Sequence, residues 1–181
     1  KAITTRIWGR EMTFTTSAGV FSQDGLDKAT SLLLQHSTPP SDGTILDLGC
    51  GWGPLACAIA AAPPEVEVWA VDPNERALDL TRTNAANLGV MVHAVLPDDL
   101  PGGVTFDQIW SNPPFRIGKA ALHELLLRWL PRLVPGGTAR LVVAKNLGAD
   151  SLQAWLTEQG WPTERMASHN GFRILNVSRP I

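Results

Sequence analysis

The chain has 181 residues, 44% hydrophobic and 18% charged, which is enough for one domain with a buried core and too apolar for a disordered chain. Its 15 Lys and Arg against 17 Asp and Glu leave a formal net charge of -2, excluding a surface that grips nucleic acid by charge all round and leaving room only for a local basic patch. The longest apolar stretch, Leu122 to Val134, is broken by His123, Glu124, Arg128 and Arg132, so no segment is long and apolar enough to span a bilayer.

Residues 1–41 read as a lead-in, strand-like from Thr4 to Thr15 and helical near Asp27 to Gln35. They lack the basic-then-apolar order of a signal peptide, so a cytoplasmic chain without membrane contact is expected. From residue 42 onward the order becomes regular. Thr44 to Leu48 is a short buried strand, followed by a glycine-rich turn and an alanine-rich helix from Leu55 to Ala62 that Pro63-Pro64 stops. Val66 to Val71 is the next strand. Asn74 caps a helix from Glu75 to Leu88, and Gly89 closes it.

Val90 to Leu96 and Phe106 to Trp110 supply two more strands. A helix from Leu122 to Leu133 is closed by Pro135-Gly136-Gly137 or ended sooner by Pro131. Ala139 to Ala144 is a further strand and Asp150 to Gln159 a further helix. Strands alternating with helices imply right-handed crossovers and a parallel sheet covered on both faces. The tail departs from this rhythm, because Thr163 to Ala167 and Phe172 to Val177 flank His169-Asn170-Gly171, a hairpin signal. The expected architecture is α/β: a Rossmann-like, mostly parallel seven-stranded sheet ending in an antiparallel hairpin, with residues 42–181 as the ligand-binding part.

The turn Asp47-Leu48-Gly49-Cys50-Gly51-Trp52-Gly53 leaves a strand and enters a helix. Glycines there let backbone approach a ligand closely. A dinucleotide fingerprint would place its third glycine where this chain has Pro54. Instead an acid, Asp47, precedes the first glycine, and a carboxylate there suits a cationic ligand end, held directly or through water, better than a pyrophosphate. Asp72, at the end of the next strand, is placed to accept from both hydroxyls of a ribose. Asp98, in the turn Pro97-Asp98-Asp99, is placed to accept from an adenine amino group, or else belongs to a solvated turn. A tight structural loop would account for the glycines alone; the order strand, turn, helix, strand, acid favours a ligand site.

Asn112-Pro113-Pro114-Phe115 follows a strand at the carboxyl edge, where open parallel sheets bind ligands. Two prolines fix the backbone and remove two donors, leaving carbonyls to accept. The Asn112 side-chain oxygen and the Pro113 carbonyl are suited to the two hydrogens of a planar amino group. Such an amine is a poor nucleophile, and acceptors aimed at its hydrogens favour the pyramidal form that develops as it attacks an electrophilic methyl. Phe115 is suited to stacking on a planar substrate. Alone, the turn would be a rigid loop.

On these residues the chain resembles the class I methyltransferases, and more narrowly the catalytic domain of the bacterial ribosomal RNA small-subunit guanine-N2 methyltransferases of the C type. Asp47 to Gly53 marks the superfamily, and Asn112 to Phe115 is similar to the turn of enzymes that methylate adenine, guanine or glutamine nitrogens. Gly19-Val20-Phe21-Ser22 with Asp24-Gly25-Leu26-Asp27, and Lys145-Asn146-Leu147-Gly148-Ala149-Asp150, carry the narrower likeness. The resemblance implies S-adenosylmethionine as cofactor. It implies Asp47, Gly49, Gly51, Gly53, Asp72, Asp98 and Phe21 near it, catalysis at Asn112, Pro113, Pro114 and Phe115, and guanine N2 of ribosomal RNA, free or in a ribosomal subunit, as substrate. Family members often carry a second, degenerate half that helps hold RNA; a homodimer is expected as one way for this domain to replace it. Where the family tends to have His after the Phe, this chain has Arg116.

Arg116 and Lys119 past the turn, with Lys145, are candidates for an RNA phosphate rim, or else ordinary surface charges. Cys50 and Cys57 read as small buried thiols, and no His has a partner that suggests a metal or a triad. Trp52, Trp110, Trp129 and Trp155 read as core or pocket wall, while an exposed Trp8 or Trp161 would mark a dimer contact. Two rival functions stay open: the same chemistry on a protein glutamine or small amine, and a non-catalytic cofactor- or RNA-binding module.

Overall fold

The computed structural model describes residues 1–17, 25–114 and 117–181. Nine strands and five α-helices are found among them. β1 (Ala2–Ile7) and β2 (Arg10–Thr15) pair antiparallel as a separate two-stranded sheet. Then follow α1 (Lys28–Gln35), β3 (Thr44–Leu48), α2 (Pro54–Ala61), β4 (Glu67–Val71), α3 (Glu75–Leu88), β5 (His93–Val95) and β6 (Phe106–Ser111). The chain ends with α4 (Lys119–Trp129), β7 (Leu133–Ala144), α5 (Ala149–Glu158), β8 (Thr163–His169) and β9 (Phe172–Ser178).

Seven strands form one sheet in the order β5-β4-β3-β6-β7-β9-β8. β3 pairs parallel with both β4 and β6, and β9 lies antiparallel between β7 and β8. The expected mixed sheet and C-terminal hairpin are therefore present. One face is packed by residues of α1, α2, α3 and the β1–β2 hairpin, such as Phe14, Leu33, Ile59 and Leu78. The other is packed by α4 and α5 through Leu126, Trp129, Leu152 and Leu156. Among the described residues no helix is long and apolar enough to cross a membrane.

Local chemistry accounts for the boundaries that position the site. Asn74 caps α3 by accepting from the Arg76 amide, and Gly89 ends it at φ 69°, a left-handed conformation that glycine adopts without strain. α2 starts at Pro54, whose missing N–H is one of the unpaired donors of a first turn anyway. Its residues from Pro54 to Ala60 are all buried, which explains why it consists of small apolar side chains.

Three expectations need correction. The strand-like lead-in is two strands joined at Trp8-Gly9, both with positive φ, the backbone of a two-residue hairpin. Of the two ends expected for the helix before β7, the earlier holds: α4 ends at Trp129, and Leu130–Arg132 tightens into a 3-10 turn around Pro131. Pro135-Gly136-Gly137 does not close that helix but lies within β7, where the Gly136 amide donates to the Arg179 carbonyl and the Arg179 amide to Gly137. β5 is also shorter than expected.

The Trp8 indole is not a free surface group, since its N–H donates to the Leu34 and Ser37 carbonyls and its ring meets Trp110 edge-on at 6.0 Å. It fastens the hairpin to α1. Asn84, fully buried, fastens the other end: its amide donates to the Thr15 and Trp52 carbonyls and its oxygen accepts from the Thr15 amide. The lead-in is thus tied to the glycine-rich turn itself.

Candidate active site

The carboxyl ends of β3, β4, β6 and β7 open on one cavity of about 530 Å³. Chain order reverses between β3 and β6, the point at which doubly wound sheets bind ligands. At that junction the buried Ser111 hydroxyl donates to the Leu48 carbonyl at 2.8 Å. This bond ties the root of the Asn112 turn to the root of the glycine-rich turn. Asp47, Gly49, Gly51, Asp72, Asn112, Pro113 and Pro114 all line the cavity, although they come from three separate turns.

Asp47 is 1% exposed. Its Oδ2 accepts from the Ala56 amide at 3.0 Å, in the first turn of α2, while Oδ1 is buried with no partner. Burial pushes its carboxyl up to about 7; the Ala56 amide opposes this rise and nearby Asp72 adds to it. A buried carboxylate oxygen without a donor, on the wall of a cavity, calls for a cationic or hydrogen-bonding ligand group.

The Gly49 and Cys50 amides both donate to the Val71 carbonyl, which folds the turn over the end of β4. Gly49 and Gly51 have φ of 77° and 57°, and a Cβ on either would meet nothing within 4 Å. Side chains there would fill ligand space rather than strike protein. Gly53 differs: at φ 98° its Cβ would lie 2.9 Å from Thr81 Oγ1 and 3.0 Å from its Cγ2. Gly53 does not line the cavity; it lets α2 sit against α3.

These two situations predict different losses. Gly53→Ala should cost about 3 kcal/mol of stability, combining left-handed strain with a steric clash. Gly51→Ala should cost about 1 kcal/mol and lose cofactor affinity instead. Urea denaturation of both variants is the check, and equal stability losses would contradict the assignment.

Asp72 accepts from the Gly51 amide through Oδ2 at 3.0 Å and from the Asn74 amide through Oδ1 at 2.9 Å. Each oxygen keeps a lone pair for a hydroxyl donor. The structure does not bring Asp98 into this cavity. Its side chain is largely exposed and pairs with Arg128 at 2.9 Å. Phe21, Phe115 and Arg116 lie outside the described residues. Lys119 begins α4 beside a smaller hollow of about 90 Å³, and Lys145 is exposed in a 3-10 turn. Neither lysine lines the main cavity.

Sequence reasoning missed Asp27 as a site residue. Its Oδ2 caps α1 by accepting from the Thr30 amide at 3.3 Å, and the same oxygen accepts from Asn112 Nδ2 at 2.8 Å. Thr30 Oγ1 lies 3.3 Å from the same nitrogen. A carboxylate only accepts, so the Asn112 amide must turn its NH2 toward Asp27, which leaves Oδ1 as the free acceptor. The helix start near Asp27 was readable; its contact with a residue 85 positions away was not.

The arrangement has the parts of an S-adenosylmethionine site. Asp47 offers an unpaired oxygen for the amino group, Gly49 and Gly51 leave room for close approach, and Asp72 stands ready for ribose hydroxyls. The volume falls in the range of small-molecule sites. Cys50 also faces the cavity and is a free, buried thiol like Cys57; burial raises both thiols above their ordinary range.

Comparison with known proteins agrees. Residues 11–176 match the family model described as methyltransferase small domain. An uncharacterized protein of Bacillus subtilis, YbxB, is 31% identical over 179 residues, covering 96% of this chain and 89% of that protein. The ribosomal RNA small subunit methyltransferase C of Citrobacter koseri is 36% identical over 148 residues, or 76% of this chain and 43% of the relative. Among solved structures, a T. thermophilus 16S rRNA N2 methyltransferase in complex with AdoMet and guanosine superposes with a TM-score of 0.85 at 26% identity. That match covers 99% of this chain and 50% of the other, so the chain spans half or less of these two RNA-modifying relatives.

Proposed function

The chain belongs to the methyltransferase small domain family, and on that premise we propose that it transfers a methyl group from S-adenosylmethionine to the exocyclic N2 of a guanine in ribosomal RNA. The observation that carries the amine chemistry is the Asn112 amide, fixed by Asp27 with Oδ1 left to accept, in the same cavity as Asp47 and the glycine-rich turn. The similarity to ribosomal RNA methyltransferase C supports guanine N2 as the acceptor.

When bound, the cofactor supplies an electrophilic methyl group on a sulfonium. The chain's residues do the rest. Asp47 would hold the amino group of the cofactor and Asp72 its ribose hydroxyls, and both line the same cavity as the Asn112 turn. Asn112 Oδ1 and the Pro113 carbonyl accept the hydrogens of the target amine, draw its lone pair out of conjugation, and bear the positive charge that develops on nitrogen. No strongly basic side chain is required, because the nitrogen sheds its proton once it becomes cationic. Pro113 and Pro114 keep these acceptors from relaxing away from that geometry. Lys119, Lys145 and Arg116 are proposed as the phosphate-holding rim.

The test is transfer of labelled methyl to total RNA, protein and small metabolites from cells that lack this protein. Label is expected in ribosomal RNA. Label confined to protein or to small metabolites would overturn the RNA reading and favour a glutamine or free amine acceptor.

A further inference from the structure

Among the described residues the Asp27 carboxylate accepts from the Thr30 amide and from Asn112 Nδ2, and both bonds fall on Oδ2. The residue lines the cavity beside Asn112, and Oδ1 takes neither bond. Two acceptors therefore sit next to each other at the substrate end: Asn112 Oδ1, and a carboxylate oxygen of Asp27. A neutral amine needs only the first. The second asks for another donor adjacent to the amine.

We propose that Asp27 is the specificity-determining residue of the site: its Oδ1 accepts the N1–H of guanine while Asn112 Oδ1 accepts from N2. This assignment rests on the guanine reading above. Among RNA bases with an exocyclic amine, guanine alone carries a hydrogen on the adjacent ring nitrogen. Adenine and cytosine present a lone pair there, which a carboxylate repels. A glutamine amide has no such neighbouring donor. The same bond draws positive charge toward N1–H and releases electron density into the N1–C2–N2 unit, so that N2 becomes a better nucleophile. Asp27 thereby acts twice, once on the substrate directly and once as a positioning residue for the Asn112 amide.

The experiment compares two synthetic RNA fragments spanning the guanine that the labelling experiment identifies. One carries guanine and the other 2,6-diaminopurine, which keeps the N2 amine but has a lone pair at N1. The wild-type chain is expected to show kcat/KM about 10- to 100-fold lower on the diaminopurine fragment, the loss of one charge-assisted hydrogen bond. Asp27→Asn keeps a side-chain oxygen for the helix cap. With its melting temperature and S-adenosylhomocysteine affinity retained, it is expected to lose activity on guanine and narrow the gap between the fragments. Equal use of both fragments by the wild-type chain overturns the role of Asp27 while leaving guanine methylation intact. If the labelling experiment finds no methylated guanine in ribosomal RNA, the guanine reading is overturned and this proposal with it.

Discussion

Replacing Asn112 by alanine is expected to lower kcat about 10²- to 10³-fold, the scale of removing one preorganised transition-state acceptor or donor, with little change in affinity for S-adenosylhomocysteine. The prediction follows from where the amide is anchored. Its NH2 is bound by Asp27 and Thr30, so the oxygen is the only part of the side chain left for chemistry. That oxygen interacts most strongly with the amine as positive charge builds on nitrogen, so its loss falls on turnover rather than on ground-state binding. The cofactor-holding groups come from other turns and are untouched. Turnover surviving within a few-fold would show that Asn112 is not an acceptor in the transition state.

The second large effect concerns Asp47 and pH. Its folded-state value is about 7, against about 3.9 in an unfolded chain. Because the folded value is raised, the protonated form favours folding: this contribution is fully present below about pH 4 and is lost as pH rises through about 7. The difference amounts to about 4 kcal/mol at most. Asp47→Asn cannot ionise, so its stability relative to wild type should rise between about pH 4 and about pH 7 and level off above, as followed by urea denaturation. A ligand ammonium at Oδ1 reverses the preference by favouring the ionised carboxylate. S-adenosylhomocysteine should therefore bind wild type more tightly as pH rises through about 7, up to the point where its own amino group loses its proton, while binding to Asp47→Asn lacks this dependence. Parallel stability profiles for the two proteins would contradict an unpaired buried carboxylate.

These predictions use residues of unequal legibility in the sequence. The glycine-rich turn was readable because its acid, glycines and following proline are neighbours in the chain. α3 was readable to the residue because Asn74 and Gly89 mark both ends. The β1–β2 hairpin was hidden because Trp8, a bulky residue, occupies a positive-φ position where asparagine or glycine would have announced a turn. β7 was read short because Pro135-Gly136-Gly137 looks like a loop; its pairing with Arg179 is supplied by the chain's far end.

The site itself divides in the same way. Asp47 near the end of β3, Asp72 after β4 and Asn112 after β6 all lie at one edge of the sheet, so topology alone brings them to one cavity. Asp98 also follows a strand, but its side chain is largely exposed and pairs with Arg128 of α4, a contact no local pattern foretells. Asp27 is the converse case. In the sequence it is only the start of a helix, and only the fold places it 2.8 Å from Asn112. Gly53 belongs with the turn by spacing, yet its reason for being glycine is Thr81 in α3.

The central claim is that the methyl group goes to an amine nitrogen held at the Asn112 turn. The most direct measurement is the position of the transferred methyl group, read by mass spectrometry of nucleosides after labelled transfer to ribosomal RNA and complete digestion. The predicted product is N2-methylguanosine, formed by the wild-type chain and reduced in Asn112→Ala to the extent given above. A methyl group on a ring carbon or on a ribose oxygen would contradict the claim.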